Sequence, residues 1–90
     1  MIDLNFIPKS RSDVQHQVID GESVILDTSN GMIHQLNETA SFIWQSCNGK
    51  NNVQNIVTML MDSYSASENT ANDDVIKVIS NFKELELLDE

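Results

Sequence analysis

The chain has 90 residues, the length of one small domain with a modest core and no room for an interior active-site cavity. Apolar residues make up 40% of it, which favours a globular chain over a disordered one. The formal net charge of −9 argues against a nucleic-acid partner, because proteins that bind phosphate backbones neutralise them with Lys and Arg. We expect no membrane helix and no signal peptide, since the apolar runs are short and no basic start precedes them. The single cysteine excludes an internal disulfide and favours the cytoplasm.

The start of the chain predicts a tail and a strand. We expect an extended N-terminal tail over residues 1–11, because Pro8 lacks a backbone donor and restricts the residue before it. After the tail, Val14, His16 and Val18 alternate with polar residues. This alternation predicts a first strand with one buried face.

Two tight turns separate the strands that follow. Asp20-Gly21 is a typical hairpin turn, and Asn30-Gly31 is a second one. Between them, residues 22–28 predict a strand whose central apolar run indicates burial on both faces or a bulge. Residues 32–36 predict the third strand. Because two successive hairpins make an antiparallel meander in the order 1-2-3, the third strand should lie at an edge of the sheet.

Three amphipathic helices come next, each with a capping residue at its start. Asn37 is placed to cap the first helix, Asn51 or Asn52 the second and Ser67 the third, and Asn48-Gly49 should close the first helix. The third helix is predicted from about residue 68 to residue 84. The apolar faces comprise Ala40, Ile43, Trp44 and Cys47; Val53, Ile56, Val57, Leu60, Met61 and Tyr64; and Ala71, Val75, Val78, Ile79, Phe82 and Leu85. The predicted fold class is α+β and winged-helix-like, a three-stranded meander followed by three helices (β-β-β-α-α-α), with residues 1–90 as a single domain.

The sequence contains no convincing set of catalytic or metal-binding residues. His16 and His34 fall on strands that are not neighbours, and Cys47 falls on the buried face of a helix, whereas zinc requires three or four ligands in one place. A nucleophilic cysteine requires an exposed, electropositive environment. Asp73 and Asp74 fit a solvated helix face better than a pair of catalytic carboxylates. We therefore predict no enzyme, no metal site and no cofactor.

The third strand is the candidate site. An edge strand presents unpaired N–H and C=O groups, and proteins usually protect such an edge with Lys, Pro or a bulge. Met32, Ile33, His34 and Gln35 include no charged residue and no proline. We interpret this strand as a docking edge to which a foreign peptide adds as a fourth strand. The alternatives are that a helix or the N-terminal tail covers the edge, or that a homodimer pairs it.

The third helix offers a side pocket for such a peptide. Ile76 falls off the axis of the core stripe, with Ser80 and Lys83 on the same flank. A broad core face also explains Ile76, so the pocket and the core remain alternative interpretations of this residue.

Taken in order, several short motifs resemble the PqqD-like family, the RiPP recognition elements, over about residues 8 to 88. The most specific block is Gly31 followed by Leu36-Asn37-Glu38-Thr39-Ala40 and Ile43-Trp44. The other matching pieces are Pro8-Lys9-Ser10, Val14, Asp20-Gly21, Val24-Ile25-Leu26-Asp27, Asp74 and Leu87-Leu88.

This resemblance implies a winged-helix-like fold and a non-catalytic role, the capture of the leader segment of a ribosomally made precursor peptide. In the family the leader pairs with the third strand and lies against the third helix, which correspond here to residues 31–36 and about 74–83. The implied partner is a modifying enzyme such as a radical SAM protein, or a leader peptidase in lasso-peptide pathways. The residues expected to bind the peptide are Met32, Ile33, His34 and Gln35 on the strand and Ile76, Ile79 and Lys83 on the helix, with Lys83 facing an acidic leader residue.

Two positions depart from the family pattern. Glu86 stands where many members have Gly before the final Leu-Leu, which indicates a different end to the third helix. Val78 stands where an aromatic residue is common. This smaller side chain either deepens the groove or fills less of the core.

Two other functions are compatible with the same fold. A winged-helix regulator would bind DNA, although the third helix sets Asp73, Asp74 and Glu84 against Lys77 and Lys83. A structural subunit would pair through its third strand, so the sequence allows either a monomer or a homodimer.

Overall fold

The computed structural model describes residues 2–20 and 22–89 and contains three strands followed by three helices. The predicted α+β order is confirmed. The elements are β1 (Gln15–Ile19), β2 (Glu22–Asp27), β3 (Met32–Leu36), α1 (Glu38–Ser46), α2 (Val53–Tyr64) and α3 (Glu68–Glu84). In the described part of the chain, no helix combines the length and the apolar character that crossing a membrane requires.

The sheet is an antiparallel meander in the order β1-β2-β3, as predicted. Ile25 lies opposite His16 on β1 and opposite His34 on β3, and its fully buried side chain marks the inner face of the sheet. The pairing of β2 runs in an unbroken register along both neighbours, so the expected bulge is absent from β2. Val24 and Leu26 point to the outer face and are only partly buried, which corrects the expectation of a strand buried on both faces.

Both hairpins use left-handed backbone where a tight turn requires it. Asp20 has φ 53°, the conformation that a two-residue hairpin demands at its first turn position. The second residue of that expected turn, Gly21, lies outside the described residues. Gly31 has φ 72°, which glycine adopts without strain and which returns the chain into β3.

The predicted N-caps of the three helices are confirmed. Asn37 accepts the backbone N–H of Ala40 at 2.8 Å, and Ser67 accepts that of Thr70 at 3.3 Å. Asn52, not Asn51, caps α2, in a reciprocal capping box with Asn55. The helix α1 ends at Ser46, with Cys47 as its C-cap, so it stops before the expected Asn48-Gly49.

One core lies between the inner face of the sheet and the three helices. Trp44 on α1 meets Phe82 on α3 edge to face, with ring centroids 5.3 Å apart. The buried apolar residues are Ile25, Ile43, Trp44, Cys47, Val53, Ile56, Val57, Leu60, Ala71, Val75, Ile79, Phe82, Leu87 and Leu88. Every helix contributes to this cluster, so the position of α3 relative to the sheet is set by packing rather than by a local signal.

The helix α3 ends in a Schellman turn. Glu86 has φ 59°, the left-handed conformation that glycine prefers at this position. The N–H of Leu87 reaches back to the carbonyl of Phe82 at 2.9 Å, and that of Glu86 donates to Lys83 at 3.0 Å. The departure from the family pattern at Glu86 therefore changes the residue and leaves the turn intact.

The N-terminal segment 2–11 is bound to the rest of the domain and is not extended throughout, because it turns at Leu4 and Asn5, where the N–H of Phe6 donates to the carbonyl of Asp3 at 3.0 Å. The carbonyl of Phe6 accepts the N–H of Val53, at the start of α2, at 2.9 Å. Arg11 donates to the fully buried carboxylate of Asp27 at 3.1 Å. The pKa of Asp27 is lowered by the hydrogen bond from the Ser29 hydroxyl and, further, by Arg11. This segment closes the side of the molecule where α2, α3 and the C-terminal residues meet.

Candidate peptide-binding site

The outer edge of β3 is open. The strand pairs with β2 on one side, and no other strand in the described ranges 2–20 and 22–89 pairs with it on the other. Met32 is 49% exposed and Ile33 is 68% exposed, although both are large apolar residues. The edge is thus neither charged nor interrupted by proline, as predicted from the sequence.

The first hairpin determines which backbone groups of β3 face this edge. Ile19 and Glu22 are partners across a two-residue turn, so the N–H of Glu22 faces the carbonyl of Ile19. Backbone groups alternate sides along a strand, so those of Ile25 must face β3 instead. His34, the partner of Ile25, faces back towards β2.

The same alternation leaves the N–H and C=O groups of Ile33 and Gln35 pointing outwards. Met32 is occupied within the hairpin, where its N–H donates to the side chain of Asn30 at 3.1 Å. The four strand residues predicted from the sequence therefore divide into two pairs. Ile33 and Gln35 turn backbone groups to the open side of β3, whereas Met32 and His34 face β2.

A groove of about 700 Å³ lies beside this edge, between the end of β3, the first turn of α1 and one flank of α3. Its lining combines apolar side chains with polar and charged ones on the α3 side. The lining residues are Gln35, Leu36, Asn37, Thr39, Ala40, Asp74, Lys77, Val78, Ser80, Asn81, Phe82 and Glu84. The groove is open along its length, which suits an extended chain better than a compact small molecule.

The three α3 residues predicted to bind the peptide, Ile76, Ile79 and Lys83, lie outside the lining of this groove. Ile79 is fully buried in the core and offers no surface to a ligand. Ile76 and Lys83 do not line the groove beside β3. Lys83 holds its ammonium 5.3 Å from the ring centroid of Phe6, and with Ile2 it borders a separate small depression. That flank therefore belongs to the N-terminal segment.

The α3 wall of the groove includes four residues that were not named among the expected peptide contacts. They are Asp74, Lys77, Val78 and Asn81. Their spacing repeats every three or four residues, so they share one flank of the helix. Val78 is partly buried and packs against the core, and its small side chain contributes to the depth of the groove.

A second depression, of about 810 Å³, adjoins the groove at Gln35 and Leu36 but lies on the β2 side of α1. Phe42 and Tyr64 border it, with their rings edge to face and 5.6 Å apart. It has no α3 wall and includes residues of β2 instead. The groove between β3 and α3 is thus the one that a strand added to β3 would face.

Cys47 and both histidines lie outside the lining of the groove. Within residues 2–20 and 22–89, His, Cys, Asp and Glu side chains form no cluster of three or more that would hold a metal ion. Burial raises the pKa of Cys47 to about 12, so its thiol stays protonated at neutral pH. The Nε2 atoms of His16 and His34 are buried without a hydrogen-bond partner, on either side of Ile25.

These features define a small α+β domain of the class that offers an open sheet edge beside a helix-walled groove. The chain belongs to the PqqD family, because the model of the family described as coenzyme PQQ synthesis protein D matches residues 22–88. The matched region includes β2, β3 and all three helices. Among curated proteins, none matches the chain.

Two solved structures have the same fold. One is described as lasso peptide synthetase B1 complexed with the leader peptide; it is 23% identical, has a TM-score of 0.81, and the match covers 93% of this chain and 99% of that one. The other is TbiB1 in complex with the TbiA(beta) leader peptide, with 26% identity, a TM-score of 0.78, and 90% and 94% coverage. Both similar proteins were therefore solved with a leader peptide bound.

Proposed function

We propose that this chain is a non-catalytic binding protein that captures the leader segment of a ribosomally synthesised precursor peptide. The leader adds to β3 as a fourth strand and lays its side chains in the groove against α3. The observation that carries the proposal is the uncharged, unpaired edge of β3 directly beside that groove, in a member of the PqqD family. The leader peptides in the two similar structures support the choice of ligand.

Two groups of contacts would hold the peptide. The backbone groups of Ile33 and Gln35 supply up to four hydrogen bonds, which fix the register of the peptide without reading its sequence. The side chains of Asp74, Val78 and Asn81 on α3 then supply selectivity, since they face alternate residues of the added strand. This division is typical of recognition by strand addition.

The captured leader is passed to a second protein that performs the chemistry. We propose a modifying enzyme such as a radical SAM protein, or a leader peptidase, acting in the cytoplasm. The buried, protonated Cys47 supports a role without catalysis for this domain itself. The net charge of −9 disfavours the DNA-binding alternative.

The test is an amide-shift titration of the isotope-labelled chain with a synthetic leader from a precursor peptide encoded beside its gene. We expect shifts concentrated on residues 31–36, on the start of α1 and on the Asp74–Asn81 flank of α3. Shifts confined to the opposite flank, around Ile76 and Lys83, would contradict the proposed groove. Flat spectra with every such leader would contradict the function.

A matched pair of substitutions distinguishes the groove from the general surface. Asn81→Trp fills the groove from an exposed position, and we expect it to weaken the peptide affinity at least tenfold. Gln54→Trp places the same bulk on an exposed position of α2, outside the groove, and should leave the affinity unchanged. Equal affinities for both variants would show that the peptide does not enter the groove.

A further inference from the structure

The charged residues around the proposed peptide site are mostly acidic. The lining of the groove between β3 and α3 includes the carboxylates of Asp74 and Glu84 and the ammonium group of Lys77. The adjoining depression on the β2 side of α1 is lined by two further carboxylates, those of Glu22 and Glu38. The uncharged edge of β3 is therefore bordered by four carboxylates and one ammonium group.

These carboxylates are not neutralised within the domain. In the described part of the chain, none of the four forms an ion pair with a basic side chain. Glu22 accepts a hydrogen bond from Gln35 Nε2 at 2.6 Å, but an amide donor brings no positive charge. Glu22, Glu38 and Glu84 are exposed, and Asp74 is half-buried. Their negative charge is thus available to a ligand.

Four of the five basic residues lie with the N-terminal segment instead. Lys9 and Arg11 belong to that segment, and Lys83 lies against it. Lys50 donates its backbone N–H to the side chain of Asn48, which is the bridge partner of Lys9. None of the four lines either depression beside β3. The positive charge of the domain is therefore separated from the proposed peptide site.

We propose that the leader captured by this chain is basic, and that Lys or Arg side chains of its docked segment pair with Asp74 and Glu84. This inference rests on the proposed function and specifies the chemistry of its ligand. The sequence suggested the opposite sign, with Lys83 facing an acidic leader residue. Because Lys83 lies outside the groove, the charges that a docked leader meets are mainly negative.

Asp74 and Glu84 contact different parts of the leader. They are the first and last α3 residues of the groove lining, and a rise of 1.5 Å per residue separates them by about 15 Å along the helix axis. An extended peptide covers that length with about four to five residues. Two basic side chains of the leader therefore serve the two carboxylates. Lys77, between them in the sequence, suits a neutral or acidic leader residue.

Charge acts on the leader at two ranges. The net charge of −9 attracts a basic peptide before contact and raises the association rate, and salt screens this attraction beyond about 10 Å at 0.1 M. The groove carboxylates act at contact, where each partly exposed pair changes the affinity by about 1.4- to 5-fold. The first effect depends on the net charge and the second on the position of the charge. Variants of equal net charge separate the two effects.

The test compares two double variants that each lose two negative charges. The groove variant, Asp74→Asn with Glu84→Gln, removes both carboxylates from the groove. The surface variant, Asp73→Asn with Glu68→Gln, removes the same two kinds of carboxylate from exposed positions of α3 outside the groove. The ligand is a synthetic leader from a precursor peptide encoded beside the gene. Fluorescence anisotropy measures its affinity, and amide shifts verify that each variant is folded.

We expect the groove variant to bind this leader about 2- to 25-fold more weakly than the surface variant, since it loses two pairs. Lys77→Gln should change the affinity in the other direction and tighten binding by about 1.4- to 5-fold, because it removes a like charge from the groove. A loss of structure would not produce this tightening. Equal affinities for the groove and surface variants, or tighter binding by the groove variant, would overturn the inference.

The leader supplies the complementary test. Replacing each of its Lys and Arg residues by Gln should weaken binding and abolish the difference between the groove and surface variants. A leader whose docked segment contains no Lys or Arg would overturn the inference, because nothing then pairs with Asp74 and Glu84. Binding in the groove that neither set of substitutions alters would overturn the inference and leave the proposed function standing. Flat spectra with every encoded leader would contradict the proposed function and this inference together.

Discussion

Replacing Ile33 with proline should weaken leader binding and leave the domain folded. Proline has no N–H, so Ile33→Pro removes one of the two donors that β3 presents to a ligand. The side chain of Ile33 is 68% exposed and contributes little to the core. Proline also restricts the preceding residue to extended backbone, which Met32 already adopts within β3.

The expected magnitude follows from one hydrogen bond. A net backbone hydrogen bond contributes about 0.5–1.5 kcal/mol, and the peptide carbonyl left without a donor adds a desolvation cost of about 1–3 kcal/mol. A total of about 1.5–4.5 kcal/mol corresponds to a loss of affinity of roughly 10- to 2,000-fold. Ile33→Ala keeps the donor and should bind within about twofold of the unsubstituted chain, which separates the backbone from the side chain.

His34→Pro is the opposite control. The backbone of His34 faces Ile25, so proline there removes a hydrogen bond inside the sheet and leaves the facing carbonyl unpaired, at a cost of about 1.5–4.5 kcal/mol. That is a large part of the roughly 5–13 kcal/mol expected for the whole domain of 90 residues. Fluorescence anisotropy of a labelled leader measures affinity, and thermal melts followed by circular dichroism measure stability. Two results would refute the assignment of the Ile33 backbone to the open edge and of the His34 backbone to the sheet. One is full peptide affinity in a folded Ile33→Pro variant. The other is an unfolded Ile33→Pro variant together with a folded His34→Pro variant.

Four further predictions concern the fold. Glu86→Gly should raise stability by about 0.5–1 kcal/mol, because glycine adopts the left-handed conformation of residue 86 without strain. Glu84→Gly, within α3, should lower stability by about 1 kcal/mol. Equal melting temperatures for the two variants would contradict the Schellman turn. Trp44→Ala should cost about 3–5 kcal/mol, and an unchanged melting temperature would place Trp44 outside the core. Because its pKa is lowered in the fold, ionised Asp27 stabilises the domain above its unfolded pKa of about 3.9, and this stabilisation is lost as the pH falls through the folded pKa. The melting temperature of Asp27→Asn should therefore fall less than that of the unsubstituted chain between neutral pH and strong acid. Cys47 should react with a thiol reagent only in denaturant, and rapid labelling of the native chain would show that it is not buried.

The strands and caps could be predicted because their signals are local. Asp20 and Gly31 take left-handed backbone at the predicted turns, and Asn37 and Ser67 cap the helices they precede. Such interactions span two to four residues, so they are specified by residues close together in the sequence. The open edge of β3 then follows from the order of the hairpins alone.

The flank of α3 that faces the groove could not be obtained in the same way. Ile76 and Val78 lie on opposite sides of the stripe formed by Val75, Ile79 and Phe82. Helical spacing alone does not show which of these two flanks faces β3. Ile76 is the apolar residue off the core stripe, and from spacing alone it fits either a pocket or a broad core face. In the structure it packs against the core, on the flank where Lys83 contacts Phe6. Contacts between residues so distant in sequence are set by packing of the whole core.

The acidic surface and the open edges are parts of one arrangement. An uncharged edge strand is normally a liability, because any similar strand can add to it. This chain carries neutral edges on both β1 and β3 together with a net charge of −9 located elsewhere. Long-range repulsion keeps copies apart at the distances where encounters begin, while backbone pairing acts only at contact. A peptide of low or positive charge escapes that repulsion, so the charge favours a foreign strand over a second copy at an open edge.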